Sequence, residues 1–324
     1  MRRREFIRLI SGAVAFWPRV TQGQVQNARI GFLGTTLPSV MFRRIESLLA
    51  GMRDLGWVEG QNLFVDFRWA EGKYDRLPEL AAELVRLNVN VLVTHSTPGT
   101  LAAKQATTTI PIVMAVSGDA VATGLVASLA RPGGNITGST FFGPELHGKR
   151  VELLKEALPR ISQVAILVNG DNPISAPSFE AAERAAKFLK VKVWKFEVRQ
   201  AGEFDAVFAA MVKRRAEAVV TSEEGLIIAN SKAIADLALK SRLPSISGID
   251  LVEAGGLMGY AVNQPELYRR AAVFVDKILK GAKPTDLPIE QATKFQLTIN
   301  LRTAKALGLA MPPTLLARAD EVIE

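Results

Sequence analysis

From Arg29 onward the chain alternates short β-branched and aliphatic runs with longer stretches of helical period. That alternation restricts it to strand–helix–strand units around mostly parallel sheets, the α/β class. The spacing predicts strands at Arg29–Gly34, Leu63–Trp69, Asn90–Thr94, Ile112–Val116, Gln163–Val168, Val191–Val198, Ala218–Thr221, Ser245–Ser247 and Leu257–Ala261. Several are apolar at consecutive positions, as strands covered by helices on both faces must be. Between them, Leu77, Leu80, Ala81, Leu84 and Val85 share one helical face, as do Phe204, Val207, Phe208, Met211 and Val212. Tyr268, Ala271, Ala272, Val275, Ile278 and Leu279 form a third such stripe. All three read as core.

One stretch breaks the rhythm. A short helix is expected near Val121–Leu129, then a turn at Arg131–Asn135, a strand at Ile136–Thr140 and a helix beginning near Lys149, before a second series of units starts at Gln163. Asn135–Gly143 is therefore the expected crossing between two lobes, with further crossings near Gly255–Tyr260 and Leu287–Thr293. The division that follows is an export segment over 1–23, a first lobe over 24–138 plus 260–290, and a second lobe over 139–259 plus 291–324.

The export reading rests on Arg2, Arg3, Arg4 and Arg8 ahead of the apolar run Leu9–Trp17, with a small-residue processing site at Thr21-Gln22-Gly23. Arg3-Arg4-Glu5-Phe6-Ile7-Arg8 approaches a twin-arginine signal, so the twin-arginine and general secretory routes both stay open. Ser11, Gly12 and Pro18 break the run well short of the roughly 20 residues a spanning helix needs. The absence of cysteine excludes disulfides, thiolate metal sites and lipid attachment through an N-terminal Cys. Of the net charge of +8, the five Arg and one Glu of the export segment account for half. The remainder is a solubility statement, and with no run of Lys and Arg interleaved with aromatics, no nucleic-acid partner is expected.

Catalytic motifs are poorly represented. Gly143–Arg150 (GPELHGKR) follows phosphate-loop spacing until its last position, where Arg150 replaces the metal-binding hydroxyl, and Pro144 lacks an amide the loop would need. It reads as a solvated turn at the lobe boundary, with His147 on the surface. Gly-x-Ser-x-Gly is absent, and the two histidines, His95 and His147, show no metal-ligand spacing.

Polar residues do recur at the carboxyl end of the strands, where open parallel sheets place their ligands. Thr35 and Thr36 follow the first strand; His95, Ser96 and Thr97 the third; Ser117, Gly118 and Asp119 the fourth. In the second half stand Asn169, Asp171 and Asn172, then Ser222, Glu223 and Glu224, then Ser247, Gly248 and Asp250. Thr97-Pro98 reads as a helix N-cap with Pro at the first helical position, leaving amide donors for an anionic group. Asp119, Glu223 or Asp250 could pair with an ammonium. Equally, Ser, Thr, Asp and Asn cap helices in any such fold, so the clustering in both halves says more than any one residue.

An ordered set of segments then resembles one family: Arg29–Gly34 (RIGFLG), Gly56–Asn62 (GWVEGQN), Arg68–Pro78 (RWAEGKYDRLP), Thr107–Val113 (TTTIPIV), Arg131–Gly138 (RPGGNITG), Gly255–Tyr260 (GGLMGY), Ile278–Pro284 (ILKGAKP) and Ile299–Leu309 (INLRTAKALGL). Together they look like ABC-transporter substrate-binding proteins related to tryptophan-binding proteins. The resemblance implies a type I periplasmic-binding-protein fold, two Rossmann-like lobes with parallel sheets joined by three crossover strands. It implies a monomer that is not an enzyme and needs no cofactor, binds a small organic solute in the periplasm, and delivers it to a permease and ATPase encoded elsewhere. The ligand loops it implies are Thr35–Thr36, Ser96–Pro98, Ser117–Asp119, Asn169–Pro173, Ser222–Glu224 and Gly248–Asp250. Three departures fall in these loops: His95-Ser96 where glycines are usual, Ala120 where Pro is usual, and Ser222-Glu223-Glu224-Gly225 in place of a more apolar segment. A ligand-sensing receptor subunit and an exported hydrolase using two cleft carboxylates are the alternatives.

Overall fold

The doubly apolar strand segments pair into two sheets, each with helices on both faces. The structure, a computed structural model, describes residues 27–141 and 143–324; the expected export segment lies outside them. The chain first runs through β1 (Ala28–Gly34), α1 (Pro38–Asp54), β2 (Leu63–Trp69), α2 (Leu77–Arg86), β3 (Val91–His95), α3 (Ser96–Ala106), β4 (Ile112–Ser117) and β5 (Ile136–Thr140). It then builds α4 (Gly143–Ala157), β6 (Gln163–Asn169), α5 (Ser175–Phe188), β7 (Lys192–Val198), α6 (Phe204–Lys213), β8 (Ala218–Thr221), α7 (Gly225–Ala229), α8 (Ser231–Lys240), β9 (Ser245–Ser247), α9 (Ile249–Glu253) and β10 (Met258–Val262). It returns through α10 (Gln264–Leu279) and β11 (Glu290–Gln291), and ends in β12 (Phe295–Asn300), α11 (Leu301–Leu307) and β13 (Glu321–Ile323).

The first sheet has the order β11-β5-β4-β3-β1-β2 and the second β13-β12-β10-β9-β8-β6-β7. Every pair is parallel except β10 with β12. Strand alternation divides the core. Ile30, Phe32, Val91, Val93, Val113 and Ala115 meet Met41, Leu48 and Met52 of α1 and Tyr268, Ala271 and Val275 of α10. Leu33, Leu92, Ile112 and Met114 point the other way, onto Leu77, Leu80 and Leu84 of α2 and Ala102 and Ala103 of α3. In the second sheet Val164, Ile166 and Val168 cluster with Val151, Leu154, Ala182 and Ala186, while Ala165 and Leu167 cluster with Phe204, Phe208 and Met211. Each large aliphatic or aromatic side chain so buried stabilises the fold by about 1.5–3 kcal/mol, which is why the helical stripes behave as core.

Hydrogen bonding corrects the sequence-based boundaries. β5 stays with the first sheet to its end, through Ser117↔Thr140, and β10 stays with the second, through Val262↔Phe295. The chain therefore leaves the first sheet after Thr140 and the second after Val262, and moves from the first to the second between Gln291 and Phe295. The third passage is tied to both others, since Gln291 pairs with Thr140 and Phe295 with Val262.

Other local expectations fail for identifiable reasons. Val121–Leu129 forms turns rather than a helix, because the Asp119 carboxylate takes the amides of Val121 and Ala122 at 3.1 and 3.0 Å and holds a tight reversal. Gly143–Arg150 is the first two turns of α4 and not a solvated turn. α3 begins one residue before Thr97, at Ser96, whose backbone lies in the left-handed region at φ 65°. Sequence reading left out β11, β12 and β13. β12 (FQLTIN) alternates apolar and polar residues, unlike the doubly apolar runs around it, although Thr298 and Asn300 are buried along with Leu297 and Ile299.

Candidate functional site

Between the two sheets, the carboxyl ends of β3, β4 and β8 converge with the first turns of α3, α4, α5 and α10 on one enclosed cavity. Its walls include His95, Ser96, Thr97, Phe141, His147, Arg150, Asn172, Ile174, Ser178, Ser222, Glu223, Glu224 and Gln264. Both sheets' units contribute, and Ile174 reaches so far across that a side chain added at Gly118 would meet it at 3.3 Å.

The most buried charge is Arg150, on α4. Its Nε and Nη2 donate to the Tyr260 carbonyl at 3.0 and 2.8 Å, its Nη1 to the Thr221 carbonyl at 3.2 Å, and its Nη2 to Glu223 Oε2 at 2.9 Å. The other Glu223 oxygen accepts from Gln264 Nε2 at 2.5 Å. Burial pushes the Glu223 carboxyl up and Arg150 pulls it back. Burial pushes the Arg150 guanidinium down against the same partner. The carboxylate of Glu224 is wholly occupied: it caps α7 through the Ile227 amide at 2.8 Å, accepts from Asn169 Nδ2 at 3.0 Å, and takes the Tyr74 hydroxyl across the cleft. Burial raises its pKa.

Further contacts bridge the units. Arg44 Nη2 on α1 donates to Asp250 Oδ2 on α9 at 2.5 Å, and Arg43 forks onto Glu253 at 3.1 and 3.0 Å. Gly225 packs so closely on Thr35 that a Cβ there would lie 2.9 Å from the Thr35 carbonyl oxygen.

Two histidines belong to the cavity wall. His147 is 4% exposed, and its Nδ1 lies 3.1 Å from the Gly143 carbonyl, which can only accept, so Nδ1 carries the proton. His95 is 3% exposed, and its Nδ1 lies 2.5 Å from the hydroxyl of fully buried Tyr268. Each is lowered to about 3, by burial first and then by Arg150 beside His147 and Arg44 beside His95. A neutral buried His stabilises the fold fully above the ordinary value near 6.5, and that contribution is lost as pH falls toward 3, because the unfolded chain then binds protons the folded one refuses. Buried Glu223 and Glu224, shifted upward, act with the opposite sign, so the variant comparison is the informative one. His147→Gln, which keeps a donor for the Gly143 carbonyl, is expected to lose less melting temperature between pH 7 and pH 4 than the parent chain. An identical acid slope in differential scanning calorimetry would contradict it.

Five polar atoms on the cavity wall are buried with no hydrogen-bond partner among the described residues: His95 Nε2, His147 Nε2, Ser178 Oγ, Ser222 Oγ and Gln264 Oε1. An unpaired buried polar atom costs about 1–3 kcal/mol. Five on one small wall mark a place built for a partner.

The twelve residues singled out from sequence fall at three depths. His95, Ser96, Thr97, Ser222 and Glu223 line the cavity. Ser117 lies one layer behind through Thr97 Oγ1 at 3.3 Å, Thr35 behind Ser96 at 3.4 Å, and Asn169 behind Glu224. Thr36 is buried with its hydroxyl unpartnered, outside the wall. Asp119 serves its own turn, Asp250 holds Arg44, and Gly248 supports the Glu223 side chain. Sequence reading missed His147 as a wall residue, together with Arg150, Ser178 and Gln264. The signal was present: His147, Val151 and Leu154 fall on one helical face with Arg150 beside them, which marks the buried side of α4 once Gly143–Arg150 is read as helix.

Comparison with known proteins adds the following. The profile of a family described as ABC transporter substrate binding protein matches residues 38–323. A tyrosine-binding protein of Clostridioides difficile (strain R20291) is 24% identical over 265 residues, 82% of this chain and 76% of that protein. A conserved domain protein of Vibrio cholerae O1 biovar El Tor superposes with a TM-score of 0.87 at 25% identity, covering 92% of this chain and 100% of that one. An ABC domain from Streptococcus pneumonia in complex with L-Trp gives 0.83 at 25% identity, covering 91% and 100%.

Proposed function

Because the chain belongs to the ABC transporter substrate-binding protein family and has the type I periplasmic-binding-protein fold, we propose that it is an exported receptor. In this reading it holds one small organic solute, an amino acid or a related compound, between its two sheet-centred lobes and presents it to a membrane permease. The observation that carries this reading is the set of five unpartnered polar atoms on one wall between the lobes. The solute class is supported by relatives named for tyrosine binding or holding L-Trp. Contacts are assigned to His95, Ser96, Thr97 and Ser222, joined by His147, Ser178 and Gln264, with Glu223 holding the Arg150 and Gln264 side chains of the wall. Thr35, Thr36, Ser117, Asp119, Asn169, Gly248 and Asp250 support them from behind or brace the closed state.

In this reading the receptor works as a monomer without a cofactor or chemical turnover. Residues 1–23 direct it to the periplasm by the twin-arginine or the general secretory route. Permease and ATPase are separate chains. Solute touches both lobes only when they are closed and so favours that state, which is the form the permease reads.

A thermal-shift screen of the purified protein against amino acids, aromatic acids and small organic solutes tests the proposal. A solute at 100 times its Kd raises stability by about 2.7 kcal/mol and is recovered unchanged. Consumption of the solute would move the reading to an enzyme, and no stabilising solute at all would end it.

A further inference from the structure

This inference rests on reading the enclosed cavity as the solute site. The chain has two histidines, and both reach its wall from opposite lobes with Nε2 unpartnered. Their inner nitrogens differ in partner chemistry. The Gly143 carbonyl at His147 Nδ1 can only accept, which strips Nε2 of its proton and leaves there a buried lone pair without a partner among the described residues. At His95 Nδ1 the partner is the Tyr268 hydroxyl, which has no other partner among the described residues. Either tautomer leaves one buried proton without an acceptor inside the protein; when the hydroxyl donates to Nδ1, that proton is on Nε2, in a residue of the cavity wall where a solute can take it.

We propose that His95 and His147 are the specificity-determining pair of this cavity, fixed as opposite tautomers, with His95 donating from Nε2 and His147 accepting at Nε2, and that together they select a hydroxyl-bearing solute. The remaining unpartnered atoms fit the same chemistry. Gln264 Oε1 needs a donor, and Ser178 and Ser222 can each give or take. A hydroxyl both gives one hydrogen bond and takes others, so a single one can accept from His95 and donate to His147, while Gln264 Oε1 takes a second donor of the solute. The charged side chains of the wall, by contrast, are matched inside the protein: both Glu223 oxygens and both Glu224 oxygens are taken, as are four of the five N–H groups of Arg150. Tyr268 is the positioning residue for His95.

Long-range proton–nitrogen correlation on histidine-labelled, ligand-free protein at pH 7 reads the tautomers directly, since two imidazoles give two patterns. One pattern with Nε2 protonated and one with Nδ1 protonated is expected, and two matching tautomers, or an imidazolium, overturn the assignment. Tyr268→Phe should convert the first pattern to a mixture and leave the second unchanged. For the solute, L-tyrosine and L-phenylalanine differ by one hydroxyl. Calorimetry should find L-tyrosine bound about tenfold or more tightly than L-phenylalanine. Ser178→Ala should weaken L-tyrosine while leaving the melting temperature of the empty protein equal or higher, because the hydroxyl it removes has no protein partner. Equal binding of the two amino acids, or binding of neither, overturns the selection. The receptor reading falls only if nothing in the broader screen stabilises the protein.

Discussion

Replacing Arg150 with Met is expected to cost about 3–5 kcal/mol of folding stability, the usual result of removing one partner of a buried ion pair. The guanidinium is 1% exposed and joins the carbonyls of Tyr260 and Thr221 to the Glu223 carboxylate. Met fills most of the volume but offers no donor. Two carbonyls lose a partner, and Glu223 keeps only Gln264 against a burial that already pushes its carboxyl up. Much of the loss is therefore the cost of a stranded carboxylate, and adding Glu223→Gln to Arg150→Met should recover part of it. Urea denaturation of both single variants and the double checks this. A loss below about 1 kcal/mol in Arg150→Met, or no recovery in the double, would show that the pair is not coupled as its geometry requires.

The second large effect is expected at Gly138, in the middle of β5. Its φ of 121° lies where side chains are rarely tolerated, and an added Cβ would stand 2.2 Å from the Met114 carbonyl oxygen and 2.6 Å from the Met114 amide nitrogen. Both are backbone atoms of β4, at the point where the pairing of the two strands slips register. Nothing there can rotate away. Gly138→Ala must lift β5 off β4, at a cost of about 4 kcal/mol or more, the range reserved for gross steric conflict. Gly133 supplies the control. Its φ is 67°, but a Cβ there meets nothing within 4 Å, so Gly133→Ala should cost only about 1–2 kcal/mol. Thermal unfolding of the pair separates the clash from the conformational penalty, and equal losses would refute the steric argument.

The strand–helix rhythm was legible because burial on both faces leaves consecutive apolar residues in a strand and a periodic stripe in each helix. Val91, Leu92 and Val93, wholly buried in β3, are of this kind. The candidate cavity was legible only by position. Strand ends pointed to His95, Ser96, Thr97, Ser222 and Glu223, since topology alone brings them together. Asp119, Asp250 and Glu224 have the right chemistry at the right strand ends, but local amides or a facing arginine claim them, a competition that spacing does not reveal. His147 and Arg150 were hidden by a glycine-and-proline-rich string that looks like a loop and folds as the start of α4. Once burial is known, polar residues on the apolar side of a helix become the most informative in the chain.

The chain passes three times between its halves, yet these passages make a single mechanical part. Thr140 is bound in register to Gln291 on one side, and Val262 to Phe295 on the other, so the short link at 292–294 is fastened to both of its neighbours. Tyr260 and Phe295 stack across the second of these joins with centroids 5.7 Å apart. Rotation at any one passage drags the other two, as leaves turn together on one pin.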